Sequence, residues 1–329
     1  MAGKNSANFK SSSPVKDAGL SSLKLGFKSR REQKVFIIRV GSKLTLKPVG
    51  PFDLRLSLRV MANFSPEPTI ETDVLREAVR IDGKPCILEA RQIKKTPATI
   101  EVSSSSGNTT KTRELAEWML FIDLNLLPFY HMAKGHKVLS PIAKGLYGVR
   151  ALRTASLFEM MVIAITEQQI SLTAAYRIRD RVVQRFGEKI DGLSVFPTAE
   201  SLSKASEREL RSCGLSKRKA EYIRGTAQQV SDGSLDVDKL ATLSDDDFRE
   251  TLIKIRGFGP WSANYILVRG LGRVDCVPTD DLAVRSIVGK YLGDGKRMSE
   301  AQVLNAIEPF APFRGLAVFY LLAHDRLSI

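Results

Sequence analysis

Apolar positions change their period about a third of the way along this 329-residue chain. From Val35 to about Val102 they fall into short, β-branched, partly alternating runs: FIIRV, LTLKPV, LRLSLRVM, CILEARQI and TIEV, separated by Gly, Pro and Asp. Period-two alternation between turn residues predicts strands, here a small antiparallel sheet over residues 34–112. Residues 74–79 fit a short helix or a further strand, and residues 103–110 (SSSSGNTT) read as a polar loop. From about residue 113 onward the spacing is helical. Phe158, Met161, Val162 and Ile165 share one face, and serines at 171, 206 and 216 stand where further helices would start. Phe248, Leu252 and Ile255 make another face, and Trp261, Tyr265 and Val268 a third. Val284, Ile287, Val288, Tyr291 and Leu292 make a fourth. The class expected is α+β, with a β-sheet subdomain ahead of a mainly helical domain at 113–329.

Charge narrows the partner. Lys and Arg number 50 against 36 Asp and Glu, a net charge of +14, and such a field favours a polyanion. An anionic membrane is the competing reading, but no run of ~18 apolar residues is present to span one. Residues 1–33 are rich in Ser, Lys and Gly and read as a disordered basic tail, either attracting phosphates, carrying a targeting signal or serving as an inert leader. Cys86, Cys213 and Cys276 are too scattered for a disulfide framework or a metal site, and His131, His136 and His324 make no ligand set. No metal and no cofactor are expected. Reduced thiols and the lack of a signal-peptide pattern point to an intracellular protein, nuclear in a eukaryotic host and in the nucleoid-associated cytoplasm otherwise.

The candidate chemistry lies in IRGFGPWSANYILVRGLGRVDCVPTDDLAVR, residues 255–285. Gly257, Phe258, Gly259 and Pro260 form a tight turn between two helical patterns. The glycines permit positive φ and close backbone approach, and Pro260 suits a first helical turn. Free backbone N–H groups at such a helix start hold a phosphate without reading sequence. This is a helix-hairpin-helix, followed by Pro278, Thr279, Asp280 and Asp281 ahead of the next helix. In this order the segment resembles the HhH-GPD superfamily of DNA glycosylases, nearest the 3-methyladenine DNA glycosylase II (AlkA-like) branch. Residues 122–150, 157–171 and 213–223 share the resemblance, which runs from about residue 115 to the C-terminus.

The resemblance implies a helical core in two lobes, with residues from about 155 to 275 inserted between segments that return to the first lobe, and a DNA-binding cleft between them. It implies a monomer acting on double-stranded DNA that contains damaged bases. The expected reaction is hydrolytic excision of alkylated purines, 3-methyladenine and 7-methylguanine foremost. The D-L-G-V register of the branch selects Asp281 as the catalytic carboxylate; the P-x-D spacing of other members selects Asp280. Either residue also suits a helix N-cap. Members that cleave the strand place a Schiff-base lysine where this chain has Trp261, so a monofunctional enzyme is implied. With three cysteines the chain cannot build the four-cysteine iron–sulfur cluster of some relatives. Trp261, Tyr265 and Phe313 are the expected base-pocket aromatics. Gly257, Phe258, Gly259, Ser262, Gln168, Gln169, Lys217 and Arg218 are the expected DNA contacts, with Gln169 favoured over Gln168 as the duplex-probing wedge. Lys219 completes the basic run.

Overall fold

The computed structural model describes residues 43–62 and 73–327; the basic tail and the first expected strand, FIIRV, lie outside them. Strands β1 (Leu44–Leu46), β2 (Val74–Ile81), β3 (Lys84–Lys95) and β4 (Ala98–Ser104) form one antiparallel sheet in the order β1-β4-β3-β2. Ala98, Ile100, Val102 and Ser104 alternate into its core along β4, as period-two patterning requires. Residues 74–79 are therefore strand.

Two expectations are corrected. LRLSLRVM is helix α1 (Leu54–Ala62), not a strand. Asp53 accepts from the Leu56 amide (2.8 Å) at its start, and Leu and Arg are good helix formers. The alternation misleads because the helix is clamped between two cores. Leu54 and Leu58 face the sheet, while Leu56 and Val60 face the helical domain. The polar stretch 103–110 is only partly a loop. Its first two serines end β4, and Asn108 caps α2 (Thr109–Leu120) by accepting from the Lys111 amide. Arg150, wholly buried, ties this region to the helices by donating to the carbonyls of Val49 (2.7 Å), Pro51 (3.0 Å) and Phe121.

The helices build two separate cores. One comprises α5 (Leu157–Glu167), α6 (Leu172–Phe186), α7 (Ala199–Lys204), α8 (Glu207–Ser212), α9 (Lys217–Ser231), α10 (Val237–Ala241), α11 (Asp245–Ile253) and α12 (Pro260–Arg269). A two-residue β-ribbon, β5 (Lys189–Ile190) with β6 (Leu193–Ser194), follows α6. The other core gathers α3 (Leu127–Ala133), α4 (Leu139–Gly145), α13 (Leu282–Leu292), α14 (Glu300–Ile307) and α15 (Arg314–Leu327). The chain thus leaves one lobe, builds the other, and returns. Ser171, Ser206 and Ser216 cap α6, α8 and α9, each side chain accepting a backbone amide three residues on. Among the described residues no single helix is long and apolar enough to cross a membrane.

Helix α5 runs through the first lobe, buried from Leu157 to Thr166 at every position except Glu159. Glu159 is half-buried, and the loss of water around its carboxyl pushes it up to about 8, with Glu77 adding to the rise and Arg179 opposing it. A carboxyl that binds its proton more tightly folded than unfolded stabilises the fold fully below the ordinary carboxylate range, and that contribution is lost as pH rises through about 8. Thermal unfolding should therefore occur at lower temperature near pH ~9 than near pH ~6, and Glu159→Gln should flatten the difference. An unaltered pH slope in that variant, measured by calorimetry, would contradict the assignment.

Candidate active site

The hairpin joins α11 to α12, and its two glycines serve different ends. Gly257 has φ +106°, and a Cβ there would stand 2.6 Å from the Tyr222 ring. Its missing side chain is thus a packing and backbone requirement. Gly259 has an ordinary extended backbone (φ −132°), so positive φ is not its reason for being glycine. A Cβ on it would meet nothing within 4 Å, which leaves that side of the turn open to approach. Gly259 is the N-cap of α12 and offers no side chain to the orphan amides. Pro260 has no N–H, so the amides of Trp261 and Ser262 are left at the helix start, where an anion is favoured.

The other hairpin residues are placed less simply than the motif implies. Phe258 is buried in the core of the first lobe, and its amide donates to the Ile255 carbonyl (3.1 Å). Ser262 is 1% exposed, so what it can offer a DNA strand is its amide, not its hydroxyl. That hydroxyl accepts from Gln168 Nε2 (3.0 Å), which also donates to the Gly257 carbonyl (2.8 Å). The Gln168 side chain therefore latches the hairpin to the end of α5. Gln169 beside it is exposed with φ +54°, a backbone conformation non-glycine residues seldom adopt. Lys217 and Arg218 stand exposed in the first turn of α9. Lys219, unlike its neighbours, turns inward: its ammonium donates to the carbonyls of Thr166 (2.8 Å) and Gln168 (2.6 Å), capping α5. Burial lowers the pKa of Lys219, against an opposing pull from Glu167.

Asp281 is the N-cap of α13. Its Oδ1 accepts from the amides of Ala283 (2.7 Å) and Val284 (3.0 Å), and its Oδ2 from the indole N–H of Trp261 (2.7 Å). The indole belongs to the first lobe and the carboxylate to the second, so this contact lies at their seam. Three donors converge on one carboxylate, the hydrogen-bonding pattern of an anion. Asp280 is set differently. Burial raises its pKa, and nearby Glu300 and Asp281 raise it further while its own backbone amide opposes.

Trp261 and Tyr265, one turn apart on α12, stack with centroids 4.9 Å apart and planes at 14°. Both are partly exposed, on the side of the helix away from buried Ser262, Ala263, Ile266 and Leu267. The Tyr265 hydroxyl donates to Glu167 Oε2 (2.6 Å) at the end of α5. Burial and the neighbouring Glu167 raise the Tyr265 pKa well above its ordinary value, so it remains a donor. Phe313 belongs instead to the second lobe, edge-on to Phe129 at 6.1 Å. Sequence reasoning missed Glu167. The one available signal was a lone acid closing an otherwise apolar run, MMVIAITE.

The family of HhH-GPD superfamily base excision DNA repair proteins matches residues 162–312. A DNA-3-methyladenine glycosylase of Bacillus subtilis is 32% identical over 209 residues, 62% of this chain and 69% of that protein. The solved 3-methyladenine DNA-glycosylase from Archaeoglobus fulgidus matches with a TM-score of 0.75 at 28% identity, covering 86% of this chain and 98% of that one. A 3-methyladenine DNA glycosylase from Schizosaccharomyces pombe, solved in complex with abasic DNA, matches at TM-score 0.52 and 28% identity over 59% of this chain and 94% of its own. Lobes, hairpin and sequence agree: the chain belongs to the HhH-GPD superfamily of base excision DNA repair proteins.

Proposed function

We infer that this protein is a monofunctional DNA glycosylase of base excision repair, which flips alkylated purines out of duplex DNA and hydrolyses their glycosidic bonds. The observation that carries the reading is the Asp281 carboxylate, held by two helix amides and the Trp261 indole at the seam of the lobes, close behind the hairpin. Breaking the bond between C1′ and a purine nitrogen gives the sugar oxocarbenium character, and a fixed anion beside it stabilises that charge. The bonding electron pair leaves with the base. Water adds to C1′ and gives its proton to the carboxylate or the solvent, leaving an abasic site. Alkylation at N3 or N7 makes the base cationic, so it departs neutral. Its electron-poor ring stacks well on the Trp261–Tyr265 pair.

The similar proteins are named 3-methyladenine glycosylases, which supports 3-methyladenine as a substrate; 7-methylguanine joins it because its purine is equally cationic. The chain has no amine at position 261 for a Schiff base, and the nearby Lys219 ammonium is committed to two carbonyls. That favours water over lysine as nucleophile. The open amides after Gly259 hold the DNA backbone, with Lys217 and Arg218 adding charge. Gln169 fills the gap left by the extruded base. The three cysteines are free and buried, which fits a reducing compartment; the reading places the protein inside the cell, in the nucleus of a eukaryotic host or the nucleoid-associated cytoplasm otherwise, acting as a monomer.

The test is to incubate the protein with duplexes carrying single modified bases and identify released bases by mass spectrometry. Free 3-methyladenine and 7-methylguanine are expected, with no covalent adduct on borohydride treatment. A trapped adduct on oxidised bases would replace this reading with a glycosylase/lyase. Tight, unselective binding without release would reduce it to a binding module.

A further inference from the structure

Glu167 sits where folding alone would not choose a carboxylate. It closes α5 at the C-terminal end, after the apolar run MMVIAI, where the helix dipole disfavours negative charge. Burial raises its pKa, and Asp281 nearby raises it further, while Tyr265 and Arg269 of α12 and Arg179 of α6 lower it. Lys219 of α9 is the remaining charged neighbour. A neutral residue would cost less here, so a use elsewhere is implied.

That use can be followed atom by atom. Glu167 Oε2 accepts from the Tyr265 hydroxyl at 2.6 Å. The Tyr265 ring lies flat against the Trp261 indole, 4.9 Å away and 14° from parallel. The indole N–H donates to Asp281 Oδ2 at 2.7 Å. Resting on the reading of Asp281 as the catalytic carboxylate, we propose that Glu167 is a positioning residue for it, acting through the Tyr265 hydroxyl and the Trp261 indole. With the phenol anchored, the ring cannot tilt. The indole behind it cannot swing, and Oδ2 keeps its donor while the helix amides hold Oδ1. The carboxylate is thereby fixed from both lobes.

The test is single-turnover release of 7-methylguanine from a duplex at saturating enzyme. Glu167→Ala and Tyr265→Phe should each slow release by about tenfold, as a loosened reacting group does. The double variant should be no slower than the worse single, because both cut the same chain of contacts. Glu167→Gln, which keeps an acceptor, should recover most of the loss. DNA affinity should stay within about twofold in both, and the melting temperature of Glu167→Ala should hold or rise as the carboxylate's burial cost is removed, unlike the fall expected on losing a purely structural contact. The chain has two tryptophans, Trp118 and Trp261. In a Trp118→Phe background the Trp261 indole proton resonance should move upfield in Glu167→Ala. Wild-type release in Glu167→Ala, additive losses in the double variant, or an unmoved indole resonance would overturn the proposal. Asp281→Asn, run alongside, separates the two failures. If it is inactive while Glu167→Ala is fully active, only the positioning role falls. If Asp281→Asn itself is fully active, the carboxylate assignment falls and takes the positioning role with it.

Discussion

Asp281→Asn should slow single-turnover base release by at least ~100-fold, the loss typical of removing one charge-stabilising or proton-handling group. The substitution separates catalysis from capping. Asparagine is as good an N-cap as aspartate, and its Oδ1 can still accept from the amides of Ala283 and Val284. What it removes is the negative charge and the acceptor for the Trp261 indole, because the asparagine amide points a second donor at the N–H. Losing one hydrogen bond of this kind costs about 1 kcal/mol, so the variant should fold, bind DNA and fail to release base. Asp280→Asn, which disturbs neither the cap nor the indole contact, should stay within about threefold of the unaltered rate. The opposite pattern, with Asp280→Asn inactive and Asp281→Asn active, would move the catalytic role by one residue.

The second large effect is expected from the hairpin glycines, in opposite currencies. Gly257→Ala puts a side chain at φ +106° with its Cβ 2.6 Å from the Tyr222 ring. Left-handed backbone costs ~1–2 kcal/mol and forced overpacking about 1–3 kcal/mol. Together they should lower unfolding free energy by about 2–5 kcal/mol, read by denaturant titration. Gly259→Ala meets no neighbour within 4 Å and has an unstrained backbone, so folding should be untouched. Its methyl group would instead crowd the proposed approach of a phosphate to the amides of Trp261 and Ser262. Duplex affinity, measured by fluorescence anisotropy, should fall about tenfold, equivalent to ~1.4 kcal/mol. A stable Gly257→Ala protein, or a Gly259→Ala protein with full affinity, would refute the division of roles.

These two sites differ in how far they could be read in advance. The hairpin, the serine-capped helix starts and the aspartate pair ahead of α13 are local features. Each depends on a few consecutive residues and the backbone groups they can reach, so composition and spacing over a single turn determined them. The strand pattern of β3 and β4 was equally legible, because one face of the sheet is buried and the side chains alternate; β2 fitted a short helix as well as a strand, and only its pairing with β3 decided it. The family resemblance carried the two-lobed architecture, since order along the chain encodes which segments return to the lobe that α3 and α4 begin.

Contacts between segments far apart in the chain were decided only by the tertiary structure. Leu54, Leu56 and Leu58 alternate as in a strand, yet form a helix because two cores press on it from opposite sides. Gln168 and Gln169 are indistinguishable by type; packing turned one into the hairpin and left the other exposed. Asp280 and Asp281 are likewise identical in kind, and only the fold brought an indole from 20 residues upstream onto the second of them. Glu167 owes its surroundings to α6, α9, α12 and α13 together. Hydrogen bonds tolerate only about half an ångström in donor–acceptor distance, so a sequence sets which partners are chemically possible, while the packing of the lobes sets which of them meet.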